Sequence, residues 1–374
     1  MKLEGARRDV LAALPGWVVA RVVVLLSLAA ANLIARHLKP IPGHVAAHLH
    51  EGILGWDAVR YQQIAERGYQ ALPIKEIRFF PLYPLLARAV GFVIGHRAGI
   101  ALVLIANLCA LALGALVHRI VRMEGGDDET AVRAAWLVAL VPAAFVFVWG
   151  YSEALAMALT AAGFLALRRQ AWWWAAAAGF LGGLTRPVGL VFMLPAAIEA
   201  ARGLHRGQLR LGDLAARAAA VGSSAVGCGV YLLWVGHVFG DALLPFRIQR
   251  NPLYRGPATN PFPVMWGAIE NAFQGAWRGN SLHLPWVVIV LVLVVLVFRF
   301  MPFSYGAYAA AMVVIALTAQ RWGSFERYAF TAFPITIALA WVTRNRHAER
   351  AAWAIGVTAM AGYATLAVLG AYVP

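Results

Sequence analysis

Long apolar segments are the feature that most constrains how this 374-residue chain can fold. A helix needs about 20 predominantly apolar residues to cross the hydrocarbon core of a bilayer. Hydrophobic residues make up 61% of the chain and charged residues only 13%, which is too apolar for the surface of a soluble protein. The sequence therefore predicts an integral membrane protein built of helices. Segments that reach or approach the required length cover residues 15–36, 99–118, 219–239, 284–300 and 351–372.

Shorter or interrupted apolar segments raise the expected number of transmembrane helices to about eleven. They cover residues 132–149, 153–167, 171–185, 188–201, 304–320 and 328–343. The two cysteines, Cys109 and Cys228, lie within predicted spans, so neither a disulfide framework nor a thiolate metal site is expected. The fold class is therefore predicted as all-α and polytopic, with residues 1–374 forming a single integral membrane domain.

Basic residues in the short loops predict the orientation, because Lys and Arg resist translocation. Eleven spans and a cytoplasmic N-terminus place more Lys and Arg in the inner loops than in the outer ones. Residues 37–98 and 240–283 then form the two long external loops, where recognition or chemistry is expected. Residues 80–97 are expected to form an interfacial or re-entrant helix, since one more span would invert every later loop.

The stretch GWDAVRYQQIAERGY, residues 55–69, places the carboxylate of Asp57 on the apolar side of a predicted helix, where it contributes little to solubility. Helical spacing puts Asp57 beside apolar neighbours, Tyr61 and Ile64 among them. One interpretation is that Asp57 only caps a helix that begins at Ala58 and ends at Gly68. The other is that Asp57 has a chemical function, which capping does not exclude.

Three further charges lie at the outer ends of predicted spans: Glu153 in GYSEALAMAL, Arg186 in GGLTRPVGL and Arg327 in RWGSFERYAF. Charged side chains at membrane depth are costly, and they often mark functional positions. The alternative is that they are interfacial or structural charges whose heads reach the headgroup layer. Two external arginines near lipid suit an anionic group such as a phosphate, because the guanidinium fork makes paired bonds to phosphate oxygens.

Two other motifs could bind a metal, but a simpler interpretation is favoured for each. The acidic run EGGDDET reads as a solvated cytoplasmic turn. The three histidines His44, His48 and His50 are interpreted as part of an external loop near the lipid headgroups rather than as a metal site. No metal and no cofactor are predicted. The net charge of +15 is attributed to anionic membrane lipids, and no nucleic-acid partner is expected.

The stretch GWDAVRYQQIAERGYQALPIKEIRFFPLYPLL resembles the first external loop of the PIG-V type family, the GPI second-mannose transferases and their bacterial relatives. Later pieces agree in order, and the chain looks like a bacterial member. One piece, HVFGDALLPF, departs from the family by lacking a proline after Asp241. The other agreeing pieces are GYSEALAMALTAAGFLALRR, WWWAAAAGFLGGLTRPVGL and ERYAFTAFPITIAL.

The resemblance implies a GT-C-like fold and a mannosyltransferase of the plasma membrane that works on the external, periplasmic face. It implies transfer of mannose from polyprenyl-phosphate mannose to a hydroxyl of a lipid or glycan acceptor, with inversion and without a metal. Asp57 would be the catalytic base and Glu76 a second acidic catalytic candidate. Arg186, Arg327 and Arg60 would contact the donor phosphate. The expected supporting residues are Glu153, Tyr61, Tyr328 and Asp241.

A polytopic transporter or lipid flippase is the alternative function, since its cavity would also hold arginine and acid at membrane depth. Many transporter folds contain internal repeats with broken helices in corresponding positions. No such repeat is evident in this sequence. The transferase is therefore the preferred prediction.

Overall fold

The computed structural model describes residues 2–37, 48–202 and 210–374, and His44 of the predicted histidine loop lies outside them. Within these ranges the chain forms α-helices and short 3-10 turns, with one isolated β-bridge. The predicted all-α class is confirmed. The α-helices are α1 (Lys2–His37), α2 (Asp57–Arg67), α3 (Leu82–Val93), α4 (Ala98–Met123), α5 (Asp128–Leu140), α6 (Glu153–Arg168), α7 (Trp172–Thr185), α8 (Met193–Ala201), α9 (Leu211–Phe239), α10 (Leu244–Gln249), α11 (Pro261–Phe273), α12 (Leu284–Phe300), α13 (Phe303–Leu317), α14 (Phe325–Phe330), α15 (Pro334–Val342) and α16 (Arg346–Val368).

Five helical segments of the described ranges are long and apolar enough to cross a membrane. Four of them contain one of the long apolar segments predicted from the sequence, and the fifth, Arg346–Val368, covers residues 351–368 of the predicted segment 351–372. The protein is therefore an integral membrane protein with several membrane-spanning helices. The five segments are Glu4–His37, Ala98–Met123, Leu211–Phe239, Gly279–Phe300 and Arg346–Val368.

Several of the shorter predicted spans are interrupted helices. In the segment 132–149, α5 ends at Leu140 and a 3-10 turn follows over Pro142–Phe147. The segment 188–201 likewise joins a 3-10 turn, Pro187–Phe192, to α8. Each interruption begins at a proline, which removes a backbone donor and clashes with the preceding helical turn. The eleven-helix count stays a prediction.

The chain divides into two compact units. The first unit comprises Met1–Gly68, Tyr83–Ala158 and Thr336–Pro374. The second comprises Tyr69–Leu82 and Leu159–Ile335. The prediction of one membrane domain over residues 1–374 stays a prediction.

In the first unit, α1 packs against α4, α5 and α16, and polar side chains within these helices pair with one another. Asp9 binds His118 Nδ1 at 2.7 Å through one carboxylate oxygen and Arg119 through the other. Arg21 donates from Nε to Asn107 Oδ1 at 2.7 Å and stacks on the Trp17 ring. Such pairing offsets the cost of placing charges in apolar surroundings.

The acidic run EGGDDET is a helix start. The Asp127 side chain accepts from the Thr130 backbone N–H at 2.7 Å and caps α5. Asp128 forms ion pairs with Arg8 and Arg122. Two of the acidic side chains are thus used for capping and pairing, as a solvated turn requires.

In the second unit, α7 and α9 cross in close contact at their small residues. A Cβ on Gly183 would overlap the backbone carbonyl oxygen of Ser224, and one on Gly227 would overlap that of Phe180. Small residues let two helix backbones approach this closely in a membrane. Helix α7 ends at Thr185, so this crossing determines where the next residue, Arg186, is placed.

Candidate functional site

The turn before α2 holds Trp56 in a backbone conformation that tryptophan rarely adopts, with φ of 58° and ψ of −121°. Such conformations persist only where the surroundings enforce them. Trp56 Nε1 donates to the carbonyl oxygen of Ala367 at 2.9 Å, and the indole ring stacks on His48 at 4.2 Å between centroids. Helix α2 begins at the next residue, so this anchored turn fixes the position of Asp57.

Asp57 is half-buried at the first position of α2, and Tyr151 and Ser152 form hydrogen bonds with this helix. The Asp57 backbone N–H donates to the Tyr151 hydroxyl at 3.2 Å. One turn later, the Tyr61 hydroxyl lies 2.8 Å from Ser152 Oγ. Glu153 follows at the start of α6 and is fully buried. Three predicted residues, Asp57, Tyr61 and Glu153, therefore belong to one part of the first unit.

Gly150 makes this packing possible. Its N–H donates to the carbonyl oxygen of Ile53 at 3.1 Å. A Cβ at this position would lie 3.1 Å from Leu54 Cδ2 and 3.2 Å from Ala58 Cβ, so a larger residue would push the start of α2 away. The motif GYSE thus acts as a unit, although the sequence indicated only its glutamate.

Arg60 also lies on α2 and is half-buried, with Nη1 donating to Gln63 Oε1 at 3.4 Å. Its predicted phosphate contact stays a prediction. The end of α2 is as predicted: Gly68 follows Arg67 with φ of 75°, and its N–H binds the carbonyl oxygen of Ile64 at 2.9 Å. Glycine adopts this left-handed conformation without the penalty that a Cβ imposes.

In the second unit, three guanidinium groups surround one aromatic ring. Around Tyr328, the Cζ atoms of Arg255, Arg327 and Arg186 lie 4.4 Å, 5.0 Å and 6.0 Å from the ring centroid. Arg327 also donates from Nη2 to the Tyr328 hydroxyl at 3.2 Å. We call Arg186, Arg255 and Arg327 the arginine cluster. The sequence predicts two of its members and Tyr328, whereas Arg255 lies in the predicted external loop 240–283 without a predicted role.

Short structural elements hold the arginine cluster in place. Arg186 follows α7 in an extended conformation, and Pro187 begins the next 3-10 turn. Arg327 is only 6% exposed and lies within the six-residue helix α14. The neighbouring Glu326 is fully buried and lies 2.6 Å from His283 Nδ1 through Oε1. This buried pair fixes α14 and with it the Arg327 backbone.

Glu76 lies in the 3-10 turn Ile74–Arg78 and is 1% exposed. The turn is fixed by the Tyr231 hydroxyl, which donates to the carbonyl oxygen of Ile77 at 2.6 Å. Arg78 stacks on Tyr254, with Cζ 3.9 Å from the ring centroid. The predicted acid is thus part of the folded core of the second unit.

Asp241 stabilises the segment before α10. It accepts from the Leu243 N–H at 3.0 Å and pairs with Arg247 Nη1 at 3.0 Å. Both contacts are local in sequence, so the side chain organises the chain where a proline was expected. Its supporting role in catalysis stays a prediction.

The described histidines of the first loop do not form a metal cluster. His48 Nδ1 lies 2.7 Å from Glu51 Oε2, and its ring packs on Trp56. Within residues 2–37, 48–202 and 210–374, the chain has no group of three or more His, Cys, Asp or Glu that could hold a metal ion. Independence from metal stays a prediction.

Comparison with known families confirms the resemblance read from the sequence. The model of the mannosyltransferase (PIG-V) family matches residues 24–194, a little less than half of the chain. The match includes Asp57, Glu76, Glu153 and Arg186. It supports a membrane glycosyltransferase. Among curated proteins, none matches significantly.

The solved structures that this chain is similar to include two of an oligosaccharyltransferase from Archaeoglobus fulgidus. One, tethered to an acceptor peptide, has a TM-score of 0.46 and 14% identity, covering 97% of this chain and 56% of that chain. The other, in complex with Zn and sulfate, has a TM-score of 0.39 and 16% identity, covering 79% of this chain and 45% of that chain. The chain thus spans about half of the length of either structure.

Proposed function

We propose that this protein is a mannosyltransferase that uses polyprenyl-phosphate mannose. It transfers the mannose to a hydroxyl of a lipid or glycan acceptor on the external face of the plasma membrane, with inversion and without a metal ion. The match to the mannosyltransferase (PIG-V) family over residues 24–194 supports the sugar and the type of reaction. The apolar helices support a donor that stays in the bilayer.

In the proposed reaction, the acceptor hydroxyl oxygen attacks C1 of the mannose. The bond from C1 to the phosphate oxygen breaks, polyprenyl phosphate leaves, and Asp57 takes the proton of the hydroxyl. The transition state resembles an oxocarbenium ion, in which a positioned carboxylate can accept the nucleophile's proton as the new bond forms.

The phosphate of the leaving lipid is assigned to the arginine cluster. A phosphate that leaves with its negative charge needs electrostatic stabilisation more than protonation. Guanidinium groups provide it through paired, charge-assisted hydrogen bonds. Arg327 is well suited because it is buried, and the attraction between opposite charges is stronger where water is excluded. Glu76 is proposed as a second acidic group that orients the acceptor.

The observation that carries this proposal is the set of contacts that holds the backbone of Asp57 in place. Its backbone is set by the strained and anchored Trp56, and its N–H is bound by the Tyr151 hydroxyl. A residue that only capped a helix would not require a neighbouring tryptophan to adopt an unfavourable conformation. The proposal is that this strain is maintained because it presents the carboxylate to the acceptor.

The test is Asp57→Asn in purified protein supplied with radiolabelled polyprenyl-phosphate mannose and a panel of glycolipid acceptors. The amide has nearly the same shape but cannot take a proton, so kcat should fall by about 10²-fold or more. The matched control is Glu66→Gln, which changes an exposed carboxylate on the same helix.

The control should retain the activity of the unmodified protein, and both variants should have its thermal stability. Full transfer by Asp57→Asn would refute the assignment of the base. Absence of mannose transfer by the unmodified protein to every acceptor, with polyprenyl-phosphate mannose bound, would count against the reaction itself.

A further inference from the structure

Within the arginine cluster, Arg255 has its guanidinium carbon nearest to the Tyr328 ring centroid. It lies in the predicted external loop 240–283, and the sequence predicts no particular role for it. Its Cζ lies 4.4 Å from the ring centroid. Its Nη2 donates to the carbonyl oxygen of Ile315, at 3.0 Å. The side chain is half-buried, and it forms no ion pair with any of the described residues.

Arg255 brings a further positive charge to the Tyr328 ring. All three guanidinium carbons lie within 6.0 Å of the Tyr328 ring centroid. The aromatic face attracts this cation, but no ion pair among the described residues offsets the charge of Arg255. An anion bound at Arg255 would offset that charge, and bidentate guanidinium contacts suit the oxygens of a phosphate.

The loop that carries Arg255 is held against the end of α13. Gly256 has φ of 75°, and a Cβ there would lie 2.6 Å from Gln320 Oε1. Two residues on, Ala258 bridges to Ala319, and the Thr259 N–H donates to the carbonyl oxygen of Thr318 at 2.8 Å. The Arg255 backbone is therefore placed in advance, and a ligand would not have to order the loop.

A groove of about 230 Å³ adjoins the Arg255 side chain within the second unit. Apart from the basic residues, much of its wall is apolar, with Phe246, Pro257, Ile315 and Ala319 contributing. A phosphate bound by Arg255 would thus have an apolar groove beside it. That combination suits a phosphate attached to a hydrocarbon chain better than one attached to a nucleoside.

We propose that Arg255 is a third phosphate-binding arginine, which contacts the phosphate of the lipid-linked donor together with Arg186 and Arg327. This inference rests on the proposed function for the identity of the donor. It extends that function by adding a residue from the loop 250–258. The groove beside Arg255 then takes the first part of the polyprenyl chain.

The test compares two probes that differ only in the phosphate, farnesyl phosphate and farnesol, in direct binding to the purified full-length protein in detergent. The unmodified protein should prefer farnesyl phosphate. Arg255→Ala should reduce that preference about tenfold or more, because it removes hydrogen bonds to a charged group. Arg255→Lys should recover only part of the preference, since an ammonium lacks the planar fork.

The matched control is Arg321→Ala, which removes the same charge from an exposed arginine of the second unit that does not line the groove. It should bind both probes as the unmodified protein does. An unchanged preference for farnesyl phosphate in Arg255→Ala would overturn the inference. An equal loss of preference in Arg321→Ala would also overturn it, because the effect would then reflect net charge alone.

Direct binding separates this inference from the proposed function. Suppose that Arg255→Ala loses the preference for farnesyl phosphate and that the unmodified protein transfers no mannose. The phosphate site at Arg255 would then be supported, and the mannosyltransferase proposal would be contradicted. If transfer does occur, Arg255→Ala should raise KM for polyprenyl-phosphate mannose more than it lowers kcat. The reverse pattern, with kcat reduced and KM unchanged, would contradict a role in donor binding.

Discussion

At the scale of single residues, the Tyr151 hydroxyl provides the hydrogen-bond acceptor that α2 itself cannot offer to the Asp57 N–H. The first N–H groups of a helix have no partner within it. The Asp57 N–H is one of these, and it is bound by a hydroxyl that lies 94 residues further along the chain. The start of α2 is therefore positioned by tertiary contact as well as by the preceding turn.

We expect Tyr151→Phe to reduce the activity without unfolding the protein. The change keeps the buried ring and removes the acceptor of the Asp57 N–H. The loss of such a hydrogen bond costs about 1 kcal/mol, which corresponds to roughly a fivefold lower rate if it displaces the carboxylate. The measurements are kcat for mannose transfer and thermal stability in detergent.

The matched control for this change is Tyr363→Phe, which removes a hydroxyl from α16 in the same unit. It should leave kcat at its original value. A normal kcat in Tyr151→Phe would mean that the hydroxyl contributes nothing to the placement of Asp57.

The sequence identified the charged candidates because a charge among apolar residues is conspicuous. Asp57, Glu153 and Arg327 were all recognised in this way. Tyr151 and Arg255 were not, because a tyrosine between two apolar segments and an arginine within an external loop are both common. Their importance depends on contacts with residues far away in sequence, which no local pattern contains.

At the scale of helices, the crossing of α7 with α9 depends on backbone proximity. Gly183 faces the Ser224 carbonyl oxygen, while a Cβ on the adjacent Gly182 would have no heavy atom within 4 Å. The two neighbouring glycines therefore offer a matched pair of positions on one helix. Arg186 follows at the end of the same helix, so the crossing also bears on the arginine cluster.

We expect Gly183→Ala to lower the stability of the protein by about 1–3 kcal/mol, because the new methyl group must separate α7 from α9. Gly182→Ala should have little effect or should stabilise slightly, since alanine favours the helix. The measurement is the thermal unfolding midpoint of both variants in detergent. Equal midpoints for the two would show that the crossing tolerates separation.

The long helices were predictable, and the broken ones were predictable only in part. Twenty apolar residues in a row determine a spanning helix almost without tertiary information. In the region 328–343 the chain instead forms α14, which ends at Phe330, and α15, which begins at Pro334. Hydropathy does not distinguish such a break from a continuous span, because both halves are equally apolar.

At the scale of the whole molecule, the orientation in the membrane follows from basic residues in short loops and stays a prediction. We expect a cysteine introduced as Glu66→Cys to react with a membrane-impermeant maleimide in intact cells, because α2 should be external. Glu129→Cys, at the start of α5, should react only after permeabilisation. The measurement is the labelled fraction in a background without Cys109 and Cys228.

Both positions are exposed, so access to the reagent depends on the side of the membrane rather than on burial. The opposite labelling pattern would place α2, and Asp57 with it, in the cytoplasm. Polyprenyl-phosphate mannose on the external face would then be excluded as the donor for this carboxylate.

The bond between Trp56 and Ala367 joins positions 311 residues apart. During synthesis, the ribosome must add 311 residues after Trp56 before the acceptor of this indole exists. A nascent or truncated polypeptide that stops before residue 367 would carry every proposed catalytic and phosphate-binding group and still lack the contact that secures Trp56. The proposed enzyme would thus acquire its working geometry only once α16 is inserted, and an unfinished product could not modify the lipids around it.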